Sequence, residues 1–137
     1  MTYSHGVWHI AEYSLRDAIR NQHPHHLYVN GKLYEIRSRV KRNKVIRAYG
    51  GKCACCGLHV TQAFVDVASL ASYRATLGVY GTRKGKLIRM TLDHIVPTSR
   101  GGSNSRSNLQ LLCEPCNSIK ADKELTIMDL KKYAFAG

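Results

Sequence analysis

The sequence predicts an α+β fold drawn together by a bound metal, and three observations carry that prediction. Cys53/Cys56 and Cys113/Cys116 form two Cys-x-x-Cys pairs; Asn30-Gly31 separates the short runs Leu27-Tyr28-Val29 and Lys32-Leu33-Tyr34; and helix-like and strand-like segments alternate along the rest of the chain. Each cysteine pair offers two sulfurs to one ion from a short turn, and two pairs complete the tetrahedral four-thiolate shell of a structural Zn²⁺. A disulfide framework is the competing account. It needs an oxidising compartment, yet Met1-Thr2-Tyr3-Ser4-His5-Gly6 leads into no apolar signal-peptide core, and five cysteines do not pair evenly. The x₂ spacing makes Cys53 and Cys56 the ligands and leaves Cys55 a buried or half-buried bystander. The expected setting is the cytoplasm.

Helical spacing of Ala11, Leu15, Ala18 and Ile19, with Ser14 and Asp17 as a capping pair, predicts a short first helix. His23-Pro24-His25-His26 then reads as a surface loop rather than a second metal site. Asn30-Gly31 predicts a two-residue type I′ hairpin, because both central residues must take positive φ. Residues 38–48 form a predicted helix with Val45, Ile46 and Tyr49 on one side, ended by Gly50-Gly51. Residues 62–73 look helical. Val79-Tyr80 and Leu87-Ile88-Arg89-Met90 are expected to pair as strands across residues 81–85. Residues 91–96 make a strand that Pro97 stops, 100–105 carry loop chemistry, and 108–112 make the next strand. Pro115 suits the first turn of a helix bearing Cys116, Asn117, Ile119 and Lys120. A last helix is signalled by Thr126 with Asp129 and by Ile127, Leu130 and Ala134 on one stripe.

The chain has 137 residues and a formal charge of +12. That length suits one domain with a modest core. Zinc binding worth on the order of 10 to 16 kcal/mol is comparable with a whole domain's stability, so the metal-free chain is expected to be partly unfolded. The charge is uneven. Arg37, Arg39, Lys41, Arg42, Lys44, Arg47 and Lys52 follow one another without an acidic residue, and Arg83, Lys84, Lys86 and Arg89 form a second cluster. Such blocks predict a nucleic-acid partner, and no apolar run is long enough to span a membrane.

Asp93-His94-Ile95-Val96-Pro97, Ser99, Gly101-Gly102-Ser103, Asn108-Leu109-Gln110-Leu111-Leu112-Cys113, Cys116-Asn117 and Lys120 together resemble the HNH endonuclease family. The resemblance is tightest over residues 92–120 and extends to the Tyr49-Gly50-Gly51-Lys52-Cys53 knuckle. It implies a ββα-metal core stapled by the four-cysteine zinc site, within a nuclease domain at 49–137 that holds an insert at 57–91. Residues 1–48 become a basic extension of helix, hairpin and second helix packed on that core, and further short helices flank it. The implied activity is metal-dependent hydrolysis of phosphodiester bonds in DNA, expected to be double-stranded, by nicking or double-strand cutting. A phage or mobile-element setting goes with it.

Hydrolysis needs a deprotonated water in line with the phosphorus and charge compensation for the departing oxygen, and zinc enclosed by four thiolates suits neither task. A free imidazole titrates close to neutral pH, so His94 is the expected general base. By resemblance, Asp93 and Asn117 bind a catalytic Mg²⁺ or Mn²⁺, two oxygen ligands in the histidine-asparagine-asparagine variant of the motif. Asn108 is expected to tie the loop and so orient His94. Asp93 precedes His94 and points to the opposite side of an ideal strand, so joint action requires the strand to end or bend there. Arg100 and Lys120 join the two basic clusters as expected phosphate contacts. The alternative is a zinc-stabilised nucleic-acid-binding module without catalysis.

Overall fold

The computed structural model describes residues 1–121 and 123–134. In chain order the elements are strands β1 (Thr2–Ser4) and β2 (Val7–Tyr13), helix α1 (Leu15–Ile19), strands β3 (His26–Val29) and β4 (Lys32–Arg37), and helix α2 (Val40–Tyr49). Strands β5 (Gln62–Val67), β6 (Arg74–Arg83), β7 (Lys86–His94) and β8 (Leu109–Cys113) follow, with helices α3 (Glu114–Lys120) and α4 (Ile127–Ala134) closing the order. Short 3₁₀ turns occupy Thr98–Arg100 and Arg106–Asn108. The mixture of helix and strand is the expected α+β class.

Local chemistry builds several of these elements as predicted. Asn30 and Gly31 take φ of 51° and 80° between β3 and β4, which is the positive-φ pair a type I′ turn requires. Ser14 caps α1 by accepting a hydrogen bond from the Asp17 N–H at 3.2 Å. Thr126 and Asp129 exchange reciprocal cap bonds at the start of α4. Leu130 of that helix is fully buried, while the Ala134 side chain of the predicted stripe lies outside the described residues.

Residues 62–73 are a correction: β5 replaces the expected helix. Ala63, Val65 and Val67 alternate inward, as do Ala75, Leu77 and Val79 on its partner β6, all at 2% exposure or less. They join one core cluster with Ala18 of α1 and Val45 and Ile46 of α2. Burying each such valine or leucine is worth about 1.5–3 kcal/mol, and β-branched residues suit the pleat, so cross-strand packing overrides a locally ambiguous apolar pattern. Ala11 is likewise in β2, not in the first helix. That strand pairs antiparallel with β1 and β5, and the register with β5 shifts between His9 and Ala11. Tyr49, expected on the inner side of α2, is exposed.

The sheet runs β1-β2-β5-β6-β4-β3, with β7 pairing β6 and β8 in turn. Segment 57–91 therefore supplies the two central strands on which β2 and β4 pair. The β6–β7 turn is tighter than expected, formed by Lys84 and Gly85 at φ of 52° and 75°. Thr76 pairs with both Asp66 of β5 and Arg37 of β4, and Tyr80 pairs with both Gln62 of β5 and Arg89 of β7. The edge of β6 opposite β5 thus carries β4 at one end and β7 at the other, with a notch at residues 77–79 between them. Arg42 reaches into that notch and donates to the Leu77 carbonyl at 2.8 Å. From Met90 onward β7 pairs with β8 instead.

Candidate functional site

Two short knuckles assemble the cysteine cluster. In the first, Gly57 donates to the Cys53 carbonyl at 3.0 Å, the Cys56 N–H approaches the Cys53 sulfur at 3.5 Å, and Gly57 takes φ of 79°. The Ala54 N–H donates to the Leu111 carbonyl of β8 at 2.9 Å, fastening this knuckle beside the second. There Cys113 ends β8 as the N-cap of α3, and Cys116 lies one turn in. The ligand atoms of Cys53, Cys56, Cys113 and Cys116 all lie within 4.8 Å of one another, and the Cys56 and Cys113 sulfurs are 3.6 Å apart. A tetrahedral ion with bonds of about 2.3 Å sets its sulfurs about 3.8 Å apart, so the cluster can hold a metal such as zinc. Cys55 is buried but stands outside this set, and burial pushes its thiol up.

The cluster's electrostatics suit a cation. The Cys113 hydrogen bond draws the Cys53 thiol well below its usual range; that same bond together with burial pushes Cys113 up, and burial pushes up Cys116. One thiolate is thus accommodated and further ones are resisted until a cation arrives. Arg83 donates to the Cys56 sulfur at 3.1 Å and gains basicity from it, so this predicted nucleic-acid contact also supports the cluster.

Strand β7, the loop 95–108, strand β8 and helix α3 carry the other predicted residues. Asp93 and His94 end β7 on alternate faces. Asp93, 7% exposed, faces Gln110 across the strands and accepts from its Nε2 at 2.9 Å. Lys120 of α3 approaches the same carboxylate at 3.2 Å and donates to the His94 carbonyl at 2.8 Å. Asn117 donates to Thr91 Oγ1 at 2.8 Å, and Thr91 donates onward to the Leu112 carbonyl at 2.8 Å. Thr91 is two residues from Asp93 on the same strand, so Asn117 and Asp93 both work on the β7 face that α3 approaches. With its nitrogen spent on Thr91, Asn117 has its amide oxygen left for a ligand.

The His94 ring meets the loop instead. Its Nε2 lies 2.8 Å from Asn104 Oδ1. Asn108 clamps the two ends of that loop: its Oδ1 accepts from the Val96 N–H at 2.8 Å, and its Nδ2 donates to the Val96 and Ser103 carbonyls at 3.1 and 2.8 Å. Gly102 allows the close turn, since a Cβ there would lie 1.7 Å from the Val96 carbonyl oxygen.

Burial corrects one predicted phosphate contact and turns another from the solvent face into the β6 notch. Lys120 is fully buried and its ammonium is spent on Asp93 and His94. Arg42 is 7% exposed and held by Leu77 and Asn43, and burial lowers its guanidinium to about 10. One charged helix side cannot be assumed to face solvent when a sheet edge offers unpaired carbonyls. Arg37, Arg39, Lys41, Lys44, Arg47, Arg83, Lys84, Lys86 and Arg100 are exposed, and Arg89 is half-buried. Lys44, Arg47 and Ala48 of α2 line a shallow groove of about 460 Å³ with Arg106 from the loop that follows His94.

Sequence reasoning missed Asn104, Gln110, Thr91 and Arg106. Asn104 and Arg106 lie in or beside a stretch that reads as turn chemistry, and the roles of Gln110 and Thr91 depend on strand register. Searches among curated proteins and among solved structures return no match to this chain. The model of the family described as HNH endonuclease matches residues 82–123, from the end of β6 through β7, the loop, β8 and α3, so that stretch is similar to an HNH endonuclease domain.

Proposed function

We propose that the chain is a metal-dependent endonuclease hydrolysing phosphodiester bonds in double-stranded DNA, with His94 as general base, Mg²⁺ or Mn²⁺ held by Asp93 and Asn117, and structural Zn²⁺ in the four-cysteine cluster. The observation that carries this reading is the hold on His94. When Nε2–H donates to Asn104 Oδ1, Nδ1 keeps its lone pair and can take a proton from an attacking water. Asn108 keeps the strand exit and the Ser103 end of the loop at fixed separation, so the imidazole is oriented before substrate arrives.

A carboxylate and an amide oxygen are hard ligands suited to Mg²⁺ or Mn²⁺, and such an ion supplies positive charge to the phosphate and its leaving oxygen. Asp93 and Asn117 would hold it from the α3 side, making β7, β8 and α3 the ββα-metal core. The groove of Lys44, Arg47 and Arg106 would guide the phosphate backbone toward the loop that carries the His94 contact.

One observation favours a second reading, a zinc-stabilised module that binds nucleic acid without cutting it: the buried Lys120 ammonium already neutralises Asp93, so a divalent ion must share that carboxylate with a cation. Plasmid cleavage with added Mg²⁺ or Mn²⁺ separates the two. The parent should cut, and His94→Ala should lose about 10²-fold or more of the rate while keeping its zinc content and far-UV spectrum. Equal cleavage by the parent and His94→Ala removes the catalytic assignment, and no cleavage by the parent favours the binding module.

A further inference from the structure

The notch in the edge of β6 opens into a partly enclosed cavity of about 560 Å³, within the 300–1,000 Å³ typical of small-molecule sites. Its lining carries an unusual charge. Arg42 is 7% exposed, yet its hydrogen bonds go to the Leu77 carbonyl and the Asn43 amide oxygen, and among the described residues no carboxylate lies within ion-pair distance of it. Asp66 acts on this guanidinium only from beyond ion-pair distance, and a buried cation whose hydrogen-bond partners are all neutral favours a closer anion. Arg39 and Lys41 stand exposed at the mouth and Arg89 lines the β7 side, so the lining is strongly cationic.

The remaining walls are not those of a simple anion site. Val40, Val79, Met90 and Leu92 give the cavity apolar faces, which a bare phosphate does not need. Asp66 lies on the lining with one oxygen taken by His9 Nδ1 at 2.6 Å and the other by the Tyr80 hydroxyl. A carboxylate offers about four lone-pair sites, so acceptor capacity remains for a ring N–H or an amino group. Gly78 makes this arrangement possible, because a Cβ there would fall 2.1 Å from Asp66 Oδ2. Thr91, which holds Asn117, lines the same cavity, so the cavity backs onto the candidate site across β7.

We infer that this notch is a nucleotide subsite: it takes one nucleotide of the nucleic-acid strand, with the phosphate among Arg39, Lys41, Arg42 and Arg89 and the base between the apolar walls and Asp66. This rests on the nucleic-acid reading of the chain. An occupant would touch the strand that carries Thr91 and Asp93, and so would help register the substrate relative to His94.

The test needs no cleavage. Deoxyadenosine 5′-monophosphate is titrated into the full-length, zinc-loaded protein without Mg²⁺, followed by calorimetry and methyl NMR, with inorganic phosphate as the second probe. Saturable binding is expected, with shifts at the Val40, Val79, Met90 and Leu92 methyls, and with phosphate about tenfold weaker or worse. Val40→Trp, which fills the exposed mouth, should weaken mononucleotide binding about tenfold, and Arg39→Ala about threefold or more. Zinc content and circular dichroism verify the fold of each variant. Equal affinity for phosphate and mononucleotide, unshifted methyls, or a folded Val40→Trp that binds like the parent would each overturn the subsite. Since no step depends on catalysis, a parent that binds mononucleotide but fails to cut plasmid removes only the endonuclease reading, and one that cuts but does not bind removes only the subsite.

Discussion

Replacing Lys120 by methionine keeps the length of the side chain and deletes a single buried ammonium. In the parent that ammonium is fully enclosed, donates to the His94 carbonyl at 2.8 Å and lies 3.2 Å from the Asp93 carboxylate, itself 8% exposed at the side chain. Lys120→Met leaves Asp93 with Gln110 as its donor and a charge that burial no longer lets water screen. Removing one partner of a buried pair costs about 3–5 kcal/mol, and we expect that loss in denaturant unfolding of the zinc-loaded protein at pH 8. Asp93→Asn combined with Lys120→Met removes both charges and should recover much of the loss. Under the endonuclease reading, Mg²⁺ should stabilise Lys120→Met more than the parent, because the ion no longer shares the carboxylate. A Lys120→Met loss below about 1 kcal/mol at pH 8, with no recovery in the double variant, would refute the reasoning.

Asn108→Ala removes the three hydrogen bonds that clamp the loop; it should cost about 1–3 kcal/mol, accelerate hydrogen exchange at the Val96 amide, and lower cleavage while zinc stays bound. Gly102→Ala places a Cβ against backbone, 1.7 Å from the Val96 oxygen, so no rotamer change relieves it; we expect shifted His94 and Asn104 resonances and a loss of about 2 kcal/mol or more, and unchanged resonances would count against the loop geometry. Stripping the metal with a thiol-selective chelator should unfold much of the region around β8 and α3, since binding worth on the order of 10 kcal/mol is withdrawn, with circular dichroism and metal content measured together.

The features legible in the sequence share one property: their chemistry is complete within a few residues. Asn30-Gly31 demands a tight hairpin whatever surrounds it, Ser14 and the Thr126/Asp129 pair cap their own helices, and each Cys-x-x-Cys turn sets two sulfurs close together. The 62–73 stretch shows the opposite case. Ala63, Val65 and Val67 alternate, but the neighbouring Phe64 and Ala68 are also apolar, so the pattern alone chooses neither period. The short strands β1 and β2 likewise exist through pairing with each other and with β5.

Charge was legible as an amount and not as a location. The same basic run in α2 sends Arg39, Lys41 and Lys44 outward and folds Arg42 into the β6 notch. Lys120, one turn beyond Cys116, turns inward to Asp93. Asn104 reaches His94 because Asn108 draws the intervening loop into a fixed shape.

By itself the sequence determined the two Cys-x-x-Cys turns, the hairpin, the capped helices, the basic character and the resemblance to the HNH endonuclease family, because covalent spacing and local backbone preference act over a few bonds. Tertiary structure alone decided that 62–67 is a strand, that Arg42 and Lys120 are internal, and that Asn104 meets His94. Those outcomes depend on which strand edge, carbonyl or carboxylate arrives from elsewhere in the chain, and the free energy of burying and pairing such groups exceeds the local preferences that a sequence displays.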